Sequence, residues 1–212
     1  MRERSNGLWH WLIAATVLLM GFSGTSVASG DKDIVGLQVD NFRLQDHTGK
    51  LHELYSANAG PAVVLMSQGN GCPIVRNAMP ALKQLRDEYA RFDIPFLLIN
   101  ANLQDNSASI AAEVDEYDYA MPVLVDGDQS VGEALRLSRT AEVYVIEVAT
   151  RTVVYHGPID DRLTYQVQKG AAKHHYLADA LDAVLAGETV AVADVDAPGC
   201  LINFANRDGL SR

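Results

Sequence analysis

The chemistry-bearing residues of this chain are few, and the two cysteines, Cys72 and Cys200, stand out among them. Cys72 closes Ser67-Gln68-Gly69-Asn70-Gly71-Cys72-Pro73, a loop with two glycines between an apolar run and a helical pattern. The free amides and positive dipole end of a helix start favour an anion. A sulfur placed there is drawn toward its thiolate, the form that attacks disulfides or binds soft metals. Cys200 lies 128 positions further on. Two thiols can cycle as attacking and resolving groups. They can equally form a static cross-link, worth about 4–5 kcal/mol for so long a loop in the entropic account. Either use needs the two Cα atoms within about 7 Å, which spacing alone leaves open.

Other polar groups offer competing chemistries. Cys72 and Cys200 with His174 or His175 would make a soft site for copper(I). Neighbouring helix positions point about 100° apart, so the two histidines do not serve one ion together, and exposed helix histidines are the plainer reading. Asp160, Asp161 and Arg162 follow Gly157-Pro158 and read either as a lining of the Cys72 site or as a local ion pair in a loop. Asn102, Gln104 and Asp105 follow a buried strand, where α/β folds present functional loops. No phosphate-binding glycine loop, G-x-S-x-G or H-E-x-x-H occurs, so nucleotide, serine-hydrolase and zinc-peptidase readings lose their usual supports.

The elements that must position these groups alternate. Phe42–Gln45 and Leu51–Leu54 flank a Gly-containing turn and predict a hairpin. Ala62–Met66 is a continuous apolar run, as in a strand buried on both faces. From Pro73 to about Phe92 the period becomes helical, with Val75, Ala78, Met79, Leu82, Leu85 and Tyr89 on one face. Pro73 suits the first turn, and Pro80 inside the pattern predicts a kink. Ile94–Asn100 predicts a second buried strand, and 107–117 a helix with Ser107 as its N-cap. Met121–Val125 reads as extended and 129–137 as a short helix. Val143–Ile146 with Thr152–Tyr155 reads as another hairpin. The spacing predicts a last helix over 174–186 that stops at Gly187. Segment 187–198 is expected to cross the surface. The whole reads as an α/β fold, a sheet covered on both faces.

Composition narrows the classes. The 212 residues are 48% hydrophobic and 21% charged, the balance of an ordered globular chain. Lys plus Arg number 17 against 27 Asp plus Glu, a net charge of −10, which argues against nucleic-acid or anionic-membrane partners. Two cysteines are too few for a disulfide-dense mini-domain or a four-cysteine zinc site. Residues 1–28 read as an export signal: Arg2 and Arg4, the apolar run Leu12–Met20, then Ser26-Val27-Ala28 at a cleavage site. The run is shorter than the ~20 apolar residues of a membrane span, so cleavage is preferred over a retained anchor. Cleavage removes two basic residues and one acid, taking the charge from −10 to −11, and removes both tryptophans, Trp9 and Trp11. Residues 29–212 form the expected single domain, exported to an oxidising compartment, periplasmic or secreted.

The strand, loop, Cys72-Pro73 and helix together resemble the thioredoxin-like superfamily, over roughly residues 34–204. The Phe42–Leu54 hairpin is similar to the N-terminal extension of redoxin and peroxiredoxin (AhpC/TSA-type) domains. Gly71-Cys72-Pro73-Ile74-Val75 stands where thioredoxins carry Cys-x-x-Cys, with Cys72 on the first cysteine and Val75 on the second. Pro80 matches the kinking proline of that helix, and Thr140–Ile146 the segment leading into the third core strand. Gly199–Phe204, after Lys173–Leu177, resembles an uncharacterised peroxiredoxin-like subgroup.

The resemblance implies a thioredoxin-like fold: a central mixed sheet, helices on both faces and an N-terminal β-hairpin extension. It implies thiol–disulfide oxidoreductase or related antioxidant chemistry, with Cys72 the nucleophile and Cys200 the resolving thiol. Protein thiols and disulfides, or a thiol reductant, are the implied partners, and no organic cofactor or resident metal is implied. The departures restrain it. Peroxiredoxins place Thr or Ser where Gly69 stands and Pro where Leu65 stands, and their activating Arg would fall near Ala141, not at Arg139. In their own alignment the peroxidatic position is Val75, so fast peroxide reduction is not implied. Gly71, Met66 and Ala141 replace the thioredoxin Trp, buried acid and cis-proline, and a trans bond is expected at Ala141. A copper- or partner-binding module of a metal-handling system, and a slow thiol peroxidase, are the alternatives.

Overall fold

The computed structural model describes residues 33–56 and 60–205; the expected export segment 1–28, with Trp9 and Trp11, lies outside them. The apolar run becomes the central strand β3 (Ala62–Gln68), and all seven of its residues are buried. It can be apolar throughout because a neighbour pairs on each side and packed layers cover both faces. On one side run β4 (Phe96–Asn100) and then β5 (Val123–Val125), both parallel to β3; on the other run β6 (Val143–Glu147), antiparallel to β3, and then β7 (Thr152–Gly157), antiparallel to β6. The order is β5-β4-β3-β6-β7. Helices α1 (Pro73–Glu88) and α2 (Ser107–Tyr117) make the parallel crossovers. The short α3 (Ser130–Ala134) precedes β6, and α4 (Tyr176–Ala186) closes the fold. β1 (Arg43–Gln45) and β2 (Leu51–Glu53) form the expected hairpin. This is a thioredoxin-like fold with the N-terminal hairpin extension. No helix of the described residues is long and apolar enough to cross a membrane.

Successive β3 side chains point to opposite faces. Ala62, Val64 and Met66 join Val75 and Leu82 of α1, Ile110 of α2 and Leu177 and Leu181 of α4 in one core layer. Val63 and Leu65 join Leu54, Val131 of α3, Ile202 and Phe204 in the other. The second face is thus covered by α3, the hairpin end and the C-terminal tail together.

Several boundaries differ from expectation for local reasons. β3 runs on through Ser67 and Gln68, which the sequence placed in the loop. Both are buried, and their polar atoms are paired: Ser67 Oγ donates to the Arg139 carbonyl at 2.6 Å, and Gln68 Oε1 accepts from Asn100 Nδ2 at 2.7 Å. The N-cap of α2 is Asn106, not Ser107. Its side chain accepts from the Ala108 and Ser109 amides, and the Ser109 hydroxyl accepts from the Asn106 amide, a capping box. α1 continues through Pro80 to Glu88, and a 3-10 turn at Ala90–Phe92 completes the expected helical stretch. Gly187 ends α4 with a φ of 70°. Residues 193–195 run beside the edge of β7, the His156 amide donating to Ala193 and the Val195 amide to His156, so the segment expected to cross the surface also pads a sheet edge.

Candidate active site

Cys72 is the N-cap of α1, with Pro73 at the first helical position. The loop that delivers it depends on two glycines. Gly71 has a φ of 75°, in the region that favours glycine. A side chain on Gly69 would collide with the Asn102 amide and the Thr140 methyl. With its neighbours as placed, position 69 has no room for a hydroxyl side chain. Cys72 itself is only 3% exposed.

The C-terminal tail brings Cys200 to it. The two Sγ atoms lie 3.0 Å apart as free thiols. Thr140 organises the approach: its hydroxyl donates to Cys72 Sγ at 3.0 Å and accepts from the Cys200 amide at 2.9 Å. Its own amide donates to the Cys200 carbonyl at 2.9 Å, and the Ile202 amide donates to Ser138, so the tail pairs with 138–140 like a short strand. Gly199 makes this possible, because a side chain there would drive into the Thr140 carbonyl. The Tyr165 hydroxyl donates to the Gly199 carbonyl and accepts from the Gly199 amide, both at 3.1 Å. Below the cysteine, Ile202 and Phe204 are buried, and Gln129 Nε2 donates to the Asn203 carbonyl at 2.7 Å.

These contacts push the two thiols apart in acidity. Burial opposes charge on Cys72, but donation from Cys200 and Thr140, with the Val75 and Cys200 amides, outweighs it and holds the thiol below the usual cysteine value. The Val75 amide acts from the first turn of α1 without closing a capping bond to the sulfur. Desolvation of the Cys200 sulfur, its donation to Cys72 and the charge on Cys72 push Cys200 up to about 11. The pair is therefore ordered in acidity, Cys72 being the group that ionises first and Cys200 the one that keeps its proton. The bond at Ala141, opposite Cys72, is trans, as expected: no described peptide bond is cis.

A second layer holds the loop from behind. Buried Glu113 on α2 accepts two 2.8 Å bonds from Arg76 on α1 and one of 3.0 Å from the Tyr119 hydroxyl. Burial raises its pKa, but Arg76, Tyr119 and the Gly71 amide outweigh this and lower it. Asp105 accepts from the Asn70 amide and from Asn100 Nδ2. Asn102 accepts from the Asn203 amide at 3.3 Å, joining the loop to the tail.

Of the polar groups singled out in the sequence, Asn102 and Asp105 thus support the cysteines, whereas Gln104 is exposed. Asp160 is buried and pairs with Arg162 at 2.6–2.8 Å, the expected local ion pair, and both line a cavity with Ile74 and Ala141 that neither cysteine lines. Arg139 Nη1 reaches the Gly199 carbonyl at 3.3 Å, beside Cys200. His174 and His175 are exposed, and among the described residues no three His, Cys, Asp or Glu side chains are grouped to hold a metal ion. The copper arrangement expected of Cys72, Cys200 and a histidine is therefore not formed. Sequence reasoning gave no role to Thr140, Tyr165 or Glu113. For Thr140 a signal existed: it is the hydroxyl residue just before Ala141, the position matched to the one opposite the thioredoxin cysteine.

Comparison with known proteins follows from this geometry. The AhpC/TSA family model matches residues 35–180, a stretch that contains Cys72, Glu113 and Thr140 and ends before Cys200. The thiol-disulfide oxidoreductase ResA of Halalkalibacterium halodurans is 27% identical over 125 residues, 58% of this chain and 69% of that protein. A hypothetical protein of Sinorhizobium meliloti, solved by crystallography, is 29% identical with a TM-score of 0.70, covering 83% of this chain and 97% of its own. The peroxidoxin BcpB of Mycobacterium tuberculosis shares the fold at 18% identity, with a TM-score of 0.53 over 72% of this chain and 96% of its own.

Proposed function

The chain belongs to the AhpC/TSA family, and from that premise we propose that it is a thiol–disulfide oxidoreductase whose redox pair is Cys72 and Cys200. One observation carries the reading: two free thiols 3.0 Å apart, one favoured as thiolate and the other as thiol. The Cys72 thiolate attacks one sulfur of a substrate disulfide, expelling the other as a thiolate and leaving a mixed disulfide. Cys200 gives up its proton and attacks the Cys72 sulfur, which releases the second substrate thiol and closes the Cys72–Cys200 bond. Two electrons pass to the substrate; Cys200 supplies one proton and the solvent the other, that of Cys72 having been lost when it ionised. An external thiol reopens the bond by attacking Cys200, which is exposed, and Cys72 leaves as its stabilised thiolate. The partners are protein thiols and disulfides or a thiol reductant. An export signal over 1–28 would place this chemistry in an oxidising compartment. The ResA relative, named for this activity, supports the reading.

A glutathione redox titration of the exported chain, read by thiol trapping and intact mass, tests it. The pair is expected to titrate between roughly −120 and −270 mV, and Cys72→Ser is expected to abolish disulfide exchange. A bond that resists reduction below about −300 mV would make the pair a structural staple and remove the enzymatic reading. The same mass reports whether residues 1–28 are gone.

A further inference from the structure

A buried histidine stands between two carboxyl groups that both hold the C-terminal tail. Glu142, just before β6, is 4% exposed, and His156 on β7 is 8% exposed. The Glu142 carboxylate holds Ser138 twice, accepting from its hydroxyl at 2.6 Å and from its amide at 3.1 Å. The Ser138 carbonyl accepts from the Ile202 amide at 3.0 Å, two residues beyond Cys200. On the other side, His156 Nδ1 bonds Asp194 at 2.8 Å, six residues before Cys200. Glu142 and His156 thus grip the tail on both sides of the cysteine. The grip is not closed. Among the described residues, His156 Nε2 is the one buried side-chain nitrogen or oxygen without a hydrogen bond, and it lies 4.0 Å from Glu142 Oε1. The ring packs on Tyr144, its cross-strand partner, with centroids 4.9 Å apart. A neutral imidazole has one N–H. With that proton on Nδ1 for Asp194, Nε2 turns a lone pair toward a carboxylate, acceptor against acceptor.

We infer that Glu142 is a positioning residue for Cys200, and that His156 makes its hold depend on a proton. A proton on both ring nitrogens turns Nε2 into a donor, and a shift of about 1 Å brings it within hydrogen-bond range of Glu142 Oε1. The charged ring then bridges two carboxylates with a charge-assisted bond at each nitrogen. The titratable groups that meet the ring are Glu142 and Tyr144 from β6 and Asp194 from the segment beside β7. Among the described residues no lysine or arginine pairs with either carboxylate, so the imidazole is their counter-charge. The seated tail favours the protonated ring. The added hold is therefore complete at low pH and is lost as pH rises through the range in which imidazoles titrate. The inference rests on the thiol–disulfide reading above and adds a control to it, a resolving thiol that is held more firmly in acid.

Hydrogen exchange of the reduced protein tests this, read as protection of the 199–204 stretch over its intrinsic rate between pH 5 and 8, with β3 as internal standard. Wild-type tail protection is expected to rise about tenfold or more from pH 8 to pH 5. His156→Gln and Glu142→Gln each remove one of the two charges and are expected to flatten most of that rise while β3 stays protected. His156→Gln should match wild type at pH 8, which a purely structural role would not give. Glu142→Gln should also lower tail protection at pH 8, because Ser138 loses its charged acceptor. Asp194→Asn, at the exposed end of the contact, replaces His156→Gln should that variant not fold. Asp126, buried three residues before the tail-holding Gln129, is intact in every protein, so these variants remove the histidine contact alone. A flat wild-type profile, or a rise that survives the substitutions, would overturn the inference. The ratio of Cys72–Cys200 closure rates, wild type over His156→Gln, should follow the same pH profile. Should the pair exchange no disulfide, the thiol–disulfide reading fails, and tail protection still decides the role of Glu142 and His156.

Discussion

Ionisation of Cys72 is opposed by its own burial, and the donors that favour it come mostly from far along the chain. Thr140 is the one whose contribution can be isolated. A hydrogen bond to a charged group is worth about 1.5–3 kcal/mol. Thr140→Val keeps the shape and removes the hydroxyl, so the Cys72 thiol moves back up toward its ordinary value. Alkylation of Cys72 in a Cys200→Ser background should then slow about tenfold at pH 7, its pH midpoint moving to higher pH, and Thr140→Ser should restore both. An unmoved midpoint would show that the α1 N-terminus alone sets the thiolate. The place of Cys72 at the start of α1 was legible in the sequence, because the helix-start position is local. The Thr140 contribution was not: it depends on the tail pairing with 138–140, which no local pattern reveals. The absent hydroxyl at Gly69 was legible, but the Asn102 amide and Thr140 methyl that a side chain there would meet appear only in three dimensions.

At the scale of elements, the tail decides whether the two sulfurs meet at all. It is held by backbone pairing at 138–140, by Gln129 and Asn102, and by Phe204, which is 1% exposed in the second core layer. Phe204→Ala is expected to cost about 3–5 kcal/mol of stability, as burying no aromatic ring at a packed site does. Its more telling effect is on the cysteines. With the anchor loosened, Cys72–Cys200 bond formation after oxidation should slow, and Cys200 should label faster with a bulky maleimide than in wild-type protein. Stability lost without change in either rate would mean that pairing at Thr140 positions Cys200 unaided. Strands and helices were largely readable from their periods, since β3, β4, α1 and α4 each carry a continuous or repeating apolar face. Boundaries failed where polar atoms found remote partners: Ser67 and Gln68 belong to β3 only because Arg139 and Asn100 complete their hydrogen bonds. Pro95 and Pro122 precede the observed starts of β4 and β5, and for β4, an inner strand, a residue without an N–H is poorly suited to the ladder. The tail was the least legible element, because its few apolar residues have no period and its place depends on the whole sheet being formed.

For the molecule as a whole, two buried carboxyls far from the cysteines set opposing responses to pH. Burial raises the Asp46 pKa, but donation from the Thr48 hydroxyl, His52 and the Thr48 and Lys50 amides outweighs it and brings it down to about 2. A depressed acid contributes stability above its unfolded value near 3.8, and that contribution is lost as pH falls toward about 2. Asp126 goes the other way. Burial between β5 and α3 pushes it up to about 6, although the Gly132 and Val131 amides donate to it. Its neutral form is favoured in the fold, so its contribution is complete below about 3.8 and is lost as pH rises through about 6. Between pH 4 and 7 this one carboxyl lowers stability by about 2 kcal/mol. For a chain of this size that corresponds to a fall of about 4–8 °C in Tm. Asp126→Asn retains an oxygen to accept from the α3 amides and cannot ionise. Its Tm should be closest to wild type near pH 4 and should exceed it increasingly toward pH 7, while the loss below pH 4, owed to Asp46, persists in both proteins. Thermal melts of the reduced proteins across pH 3–8 measure this. Parallel curves between pH 4 and 7 would show that Asp126 ionises at no cost to the fold, and that its bonds to Val131 and Gly132 outweigh its burial.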